Sequence, residues 1–163
     1  MYKGLQSFFM ILAVAMMYML TSCTKPSLEG NIIITAVSNK QQAFEFKRTK
    51  YRGLLDGAKI LAINPKNKTS TALLLTDDFY AACSPDISFD ARKMVFAGQK
   101  SNKDIWQIYE MDLSSLRYVQ LTNASENCTD PVYLPGERIA YSKAHSFDLG
   151  FKGHALMVMQ RDG

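Results

Sequence analysis

Ser84-Pro85-Asp86-Ile87-Ser88-Phe89-Asp90-Ala91-Arg92-Lys93-Met94-Val95-Phe96-Ala97 decides the architecture of this chain. A polar stretch turns at Asp90-Ala91 and opens directly into four apolar residues. Asp and Ser favour turns because their side chains bond the nearby backbone, and a short apolar run bounded by such residues reads as a strand. A second copy follows: Pro131-Val132-Tyr133-Leu134-Pro135-Gly136-Glu137-Arg138, then Ile139-Ala140-Tyr141-Ser142. A Leu-Thr pair precedes each block. Leu75-Thr76 leads to Pro85 and Leu121-Thr122 to Pro131, nine residues after the threonine in both cases. The two pairs are 46 residues apart, and so are the two prolines.

Each copy continues through a polar loop into a further strand, at residues 105–113 (IWQIYEMDL) and 155–160 (ALMVMQ). An earlier half copy runs from residues 59–64 (KILAIN) through Pro65 to Ala72-Leu73-Leu74-Leu75-Thr76. Met111 lies 48 residues after Ile63 and 48 before Met159. Residues 31–37 are β-branched and apolar and predict one more strand. Residues 41–52 interleave Lys47, Arg48, Lys50 and Arg52 with Phe44, Phe46 and Tyr51, which reads as a solvated edge strand. A unit of this length with about four short strands predicts a propeller blade. One blade is apolar on both faces and buries them only by stacking on its neighbours. Turns are expected at Asp90-Ala91, Pro135-Gly136 and Asp162-Gly163.

The repeat also resembles the TolB-type, WD-like propeller repeat. Ser84, Pro85, Asp90, Lys93, Phe96, Ile108, Tyr109, Met111, Asp112, Leu121 and Thr122 stand at the positions of that pattern. The run Ser88-Phe89-Asp90-Ala91-Arg92-Lys93, with Asp130-Pro131-Val132-Tyr133-Leu134-Pro135-Gly136 in the next copy, is similar to the middle propeller domain of the hydrazine synthase alpha-subunit type. Two departures touch turn chemistry: Ala91 replaces a turn glycine, and Leu134-Pro135-Gly136 replaces Asp-Gly. The resemblance covers residues 58–163, about two and a half blades. It implies a rigid scaffold whose loops meet a protein or glycan partner.

The N-terminus reads as an address. Lys3 supplies a positive start, and residues 8–20 form an apolar run of 13 residues. That is short of the ~18–20 residues a helix needs to cross a bilayer and fits a secretory signal. Leu20-Thr21-Ser22-Cys23 resembles the bacterial lipobox, which implies acylation of Cys23, cleavage before it and anchoring by several acyl chains. Thr24 in the following position implies the outer membrane, facing the periplasm. The predicted organisation is therefore a signal peptide (1–22), a lipidated tether with the first strands (23–57), and propeller repeats (58–163).

Composition limits the alternatives. The chain has 163 residues, 47% hydrophobic and 21% charged, which excludes general disorder. Without residues 1–22, 18 bases face 15 acids, or +3, too mild for a nucleic-acid binder. No C-x-x-C-H, G-x-S-x-G, H-E-x-x-H or phosphate-loop motif occurs, so neither haem attachment nor a catalytic centre is expected. Cys83 and Cys128 lie between a Leu-Thr pair and its proline, and either a disulfide in an oxidising envelope or two buried free thiols fits. His145 and His154, with Asp148 between them, fall in a polar segment read as solvated loop rather than as a metal site. Asp77-Asp78 read as a turn and Trp106 as packing, while the N-x-[ST] sequences at Asn67, Asn123 and Asn127 read as chance.

The expected fold is all-β: a partial, truncated β-propeller of about two to three four-stranded blades behind an N-terminal signal helix. The expected function is an envelope-anchored, non-catalytic binding scaffold without cofactor or metal, held to the membrane by its lipid. Two alternatives stand beside it: the propeller part of a larger envelope enzyme, or a non-functional gene fragment.

Overall fold

The computed structural model describes residues 27–37, 55–67, 69, 71–146 and 152–161. The signal segment, Cys23, residues 41–52, Asp148 and the Asp162-Gly163 turn lie outside them. The described residues contain ten strands and no helix: β1 (Ile32–Ala36), β2 (Lys59–Ile63), β3 (Leu73–Leu74), β4 (Ala81–Ile87), β5 (Lys93–Gln99), β6 (Gln107–Asp112), β7 (Tyr118–Gln120), β8 (Cys128–Leu134), β9 (Arg138–Ser146) and β10 (Lys152–Gln160). They form three antiparallel sheets, ordered β1-β2-β3, β4-β5-β6-β7 and β10-β9-β8. This is a partial β-propeller, with one complete four-stranded blade between two three-stranded ones.

The Leu-Thr pair recurs because it does the same backbone work in each repeat. The Leu75 N–H donates to the Ile60 carbonyl at 2.9 Å, and the Ile60 N–H donates to Thr76 Oγ1 at 3.0 Å. The Leu121 N–H donates to the Ile108 carbonyl at 2.8 Å, and the Ile108 N–H donates to Thr122 Oγ1 at 2.9 Å. Each threonine thus continues the ladder past an edge strand of only two or three residues. Both are buried, where an unpaired N–H would be costly.

The prolines have a structural reason too. The sequence predicts no strand ahead of them, yet both lie inside strands, Pro85 in β4 and Pro131 in β8. The ladder shifts register between Cys83 and Asp86, and again between Thr129 and Val132. Ser84 (φ 52°) and Asp130 (φ 53°) turn left-handed just before the proline. A bulge leaves its extra residue unpaired, so a residue without an N–H costs nothing there. The two bulges touch, with Ser84 Oγ donating to Asp130 Oδ1 at 2.8 Å. Beside them the Tyr133 N–H donates to Asp86 Oδ2 at 2.8 Å. At the next turn Ala91 takes φ 56° where the pattern has glycine. Asp90 steadies it by accepting from Ser88 Oγ (2.7 Å) and the Arg92 N–H (3.1 Å).

The middle sheet is buried on both faces, as stacking requires. Met94, Phe96, Tyr109 and Met111 pack with Ile60, Ala62 and Phe79 at the first junction. Val95, Ala97, Trp106 and Ile108 pack with Cys128, Tyr133 and Ile139 at the second. Each large side chain so covered contributes about 1.5–3 kcal/mol. One carboxylate enters the second junction. Glu110, 6% exposed, accepts from Lys93 Nζ (2.8 Å), Arg161 Nε (2.8 Å) and Tyr133 Oη (2.9 Å). Those partners come from β5, β8 and the residue after β10, so the group pins two sheets together.

Candidate functional site

The described turns and crossings fall at two ends of the stack. The turns after β4, β6 and β8 lie at one end. The opposite end carries residues 55–58, 75–80, 100–106 and 121–127, which enter or leave β2, β4, β6 and β8. A polar cleft of about 410 Å³ opens at this second end, lined among others by Asp56, Tyr80, Asn102, Asp104, Trp106 and Asn127.

Local bonds fix each wall. Ser101 donates through its N–H and Oγ to Asp104, both at 2.8 Å, which folds the β5–β6 loop onto itself. Gln99 Nε2 donates to the Asp104 carbonyl at 2.6 Å. The Trp106 N–H donates to Asn127 Oδ1 at 3.0 Å, and the Asn127 carbonyl accepts the Ala144 N–H at 2.8 Å, so Asn127 bridges the second and third sheets. On the opposite wall Tyr80 Oη donates to Asp56 Oδ1, and that bond holds the phenol above its ordinary pKa. The lining combines two carboxylates, one cation (Lys103), several neutral amides and hydroxyls, and two aromatic rings. It can exchange hydrogen bonds with a polar, uncharged ligand. Among the described residues no group of three or more His, Cys, Asp or Glu is placed to hold a metal.

A second polar cluster braces the first junction. Lys100 Nζ lies 3.6 Å from the Phe79 ring centroid and 4.1 Å from that of Tyr118, and it pairs with Asp78 Oδ2 at 2.8 Å. Tyr118 Oη also donates to Asp78. Burial works to raise the Asp78 pKa, but the bonds from Lys100 and Tyr118 prevail and hold it below the ordinary value. These groups satisfy one another.

The residues singled out from sequence separate clearly. Cys83 and Cys128 are both free and buried. No disulfide joins them, because the repeat puts them out of step. The Ala82 N–H donates to the Ala58 carbonyl (2.8 Å), and it is the Cys128 N–H that makes the matching bond, to Trp106 (2.9 Å). Cys128 therefore corresponds to Ala82, and Cys83 to Thr129. Burial pushes the Cys83 thiol up to about 11. The loop expected around the histidines is corrected: His145 lies on β9 and His154 on β10. The register pairs Gly153 with His145 and His154 with Ala144, so the two histidines stand on opposite faces of the sheet and do not converge. His154 Nδ1 instead meets Ser142 Oγ at 3.1 Å. Asp77 and Asp78 form the expected turn, and Trp106 packs in the second junction while bordering the cleft. Asp56, Tyr80, Asn102 and Asp104 escaped sequence reasoning. Their only signal was that each follows or precedes a strand at the same end of its repeat.

No family model and no curated protein matches the chain. Solved structures do. Hydrazine synthase from Kuenenia stuttgartiensis is similar to 78% of this chain at 20% identity, with a TM-score of 0.60. TolB from Acinetobacter baumannii aligns over 58% of the chain at 23% identity, with a TM-score of 0.42. The chain spans about a fifth of the hydrazine synthase chain and a quarter of the TolB chain. The likeness to hydrazine synthase shows the fold: a propeller-type stack of sheets.

Proposed function

We propose that this chain is a lipoprotein of the bacterial envelope, anchored through Cys23 to the periplasmic side of the outer membrane. Its TolB-like propeller works as a non-catalytic scaffold. The occupant of the loop-end cleft is a neutral, hydroxyl-rich ligand, a glycan rather than a protein. The cleft carries this reading: about 410 Å³ of concave space with amides, hydroxyls and two aromatic rings along it. Small-ligand sites have this size and concavity, whereas protein interfaces are broader and flatter. The lining carboxylates bond Tyr80 and Ser101, which suits binding better than proton transfer.

Trp106 is the chain's single tryptophan, so its emission reports on the cleft. Titration of the full chain with envelope oligosaccharides should shift that emission saturably, and Asn102→Ala should weaken the response. A silent titration across the panel, with no ligand signal in saturation-transfer NMR, would reject the glycan. Labelling with palmitate tests the anchor: wild type should take up label and Cys23→Ala should not.

A further inference from the structure

Leu28 packs against the first apolar junction, and the Asn31 N–H donates to its carbonyl at 3.0 Å, so the described fold is pinned from Leu28 onward. β1 then starts at Ile32, opposite Ile63, at the other end of β2 from Asp56. The chain therefore enters the stack at the end that carries the turns after β4, β6 and β8, away from the cleft. Leu28 is five residues after Cys23, so a tether between them reaches at most ~18 Å. The seven residues of β5 span ~23 Å from one end of the stack to the other. An acylated Cys23 thus keeps the turn end near the bilayer and leaves the cleft end beyond the reach of the tether.

Phe89, 79% exposed, stands at the tip of the β4–β5 turn at that same end. The turn is stiff: the Ser88 N–H donates to the Lys93 carbonyl at 2.9 Å, and the Ala91 N–H to the Ser88 carbonyl at 2.8 Å. An apolar ring held out in water gains nothing there, whereas a bilayer interface takes up aromatic side chains. Charge separates the two ends as well. Among the described residues, the turn end exposes Lys66, Arg92, Arg117 and Arg138 against Glu29, Asp90 and Glu137. The cleft end exposes only Lys100 and Lys103 against Asp56, Asp77, Asp78, Asp104 and Glu126. An anionic lipid surface attracts basic groups beside it and repels an end rich in carboxylates. We infer that the turn end rests on the anchoring bilayer, with the Phe89 ring in the interface and the cleft facing away from the membrane. This orientation builds on the proposed acylation of Cys23, and it is the same however many sheets the propeller has.

The test uses the full chain as the cell matures it, reconstituted in vesicles of phosphatidylethanolamine with phosphatidylglycerol as the minor lipid. A bimane fluorophore is placed on Lys66→Cys at the turn end or, separately, on Lys103→Cys at the cleft end. Cys83 and Cys128 are buried, so the label goes to the introduced thiol. Lipids carrying a nitroxide high on the acyl chain should quench position 66 at least roughly threefold more than position 103, because ~20 Å of strand separates the two ends. Phe89 is exposed, so Phe89→Ser leaves the β-sheet circular dichroism unchanged. That variant should weaken the contrast between the two positions, and Phe89→Trp should keep it. Palmitate uptake is read on the same samples. A chain that takes up no palmitate would overturn the anchor and the orientation together. A palmitoylated chain with equal or absent quenching at the two positions, with stronger quenching at 103, or with a contrast untouched by Phe89→Ser would overturn the orientation alone.

Discussion

Gly98→Ala puts the packing of the first junction to a direct test. Gly98 is buried in β5, and a Cβ there would lie 2.7 Å from both Cδ1 and Cε1 of Phe79 and 3.2 Å from Tyr109 Cδ2. Carbon atoms sit comfortably at ~3.5–4.0 Å, so the Phe79 ring would have to retreat by ~1 Å. It has no room. Its centroid stands 5.1 Å from Phe96, 4.8 Å from Tyr109 and 4.9 Å from Tyr118, and Lys100 Nζ lies 3.6 Å from its centre. Overpacking of this kind costs ~1–3 kcal/mol. The loss of glycine's freedom in the unfolded chain returns ~0.4–1 kcal/mol. The net is a destabilisation of about 1–2 kcal/mol. With a urea dependence of ~1–3 kcal/mol per molar, the unfolding midpoint should fall by roughly 0.5–1 M. Urea titrations of four proteins decide the matter: wild type, Gly98→Ala, Phe79→Leu and the double variant. Phe79→Leu alone is destabilising, but it removes the obstructing ring edge. In that background Gly98→Ala should cost little, leaving a coupling of about 1 kcal/mol or more. A Gly98→Ala midpoint equal to wild type, or the same loss in both backgrounds, would refute the packing described.

Three further outcomes follow. Thr122→Val should destabilise more than Thr76→Val, in the range of ~1–3 kcal/mol expected for a stranded buried donor. Thr76 Oγ1 satisfies the Ile60 N–H, whereas Thr122 Oγ1 satisfies the Ile108 N–H and also donates to Gln107 Oε1 at 2.7 Å; denaturation midpoints would show the order. Cys83 and Cys128 should resist iodoacetamide at pH 8 in the folded chain and alkylate fully in urea without reductant. Mass spectrometry reads this, and protection persisting in urea would mean a disulfide. Asp112 accepts from Ser114 Oγ and from the Ser114 and Ser115 N–H groups, which lowers its pKa from 3.8 to about 2. A carboxylate with a depressed folded pKa stabilises fully above its unfolded value and loses that contribution as pH falls through the folded one. The stability advantage of wild type over Asp112→Ala should therefore be constant above about pH 5 and shrink between pH 4 and pH 2, as measured by urea midpoints at each pH.

The repeat was legible where side chains serve the backbone. Thr76 and Thr122 must accept an N–H at one ladder position, and Pro85 and Pro131 must follow a left-handed bulge residue. Few residue types satisfy either demand, so they recur at constant spacing. The strands around those prolines were hidden for the same reason, since proline ordinarily argues against a strand interior. The extensions of β9 and β10 around His145 and His154 were hidden by composition. Their Lys143-Ala144-His145 and Lys152-Gly153-His154 segments pair mainly with each other, at a rim where no apolar face is demanded. The cleft was illegible because its walls are polar loop residues spread from Asp56 to Asn127, with no spacing that local chemistry enforces.

That spread carries a consequence for function. Asp56 lies at the approach to the first sheet's β2, Tyr80 and Asp104 at the approaches of the second sheet, and Asn127 in the link with the third. No single repeat holds enough of these groups to make a site, so the stacking that buries the apolar faces also assembles the polar cleft. The two junctions act on different walls. Movement at the first displaces Asp56 against Asp104, while movement at the second acts through Asn127, whose side chain holds Trp106 and whose carbonyl holds β9. The bulge contacts, Ser84 to Asp130 and Tyr133 to Asp86, lie on the innermost strands and tie the second sheet to the third without touching the cleft. On the proposed binding role, ligand affinity should accordingly follow the integrity of the sheet-to-sheet contacts, with the loops supplying the chemistry that selects the ligand.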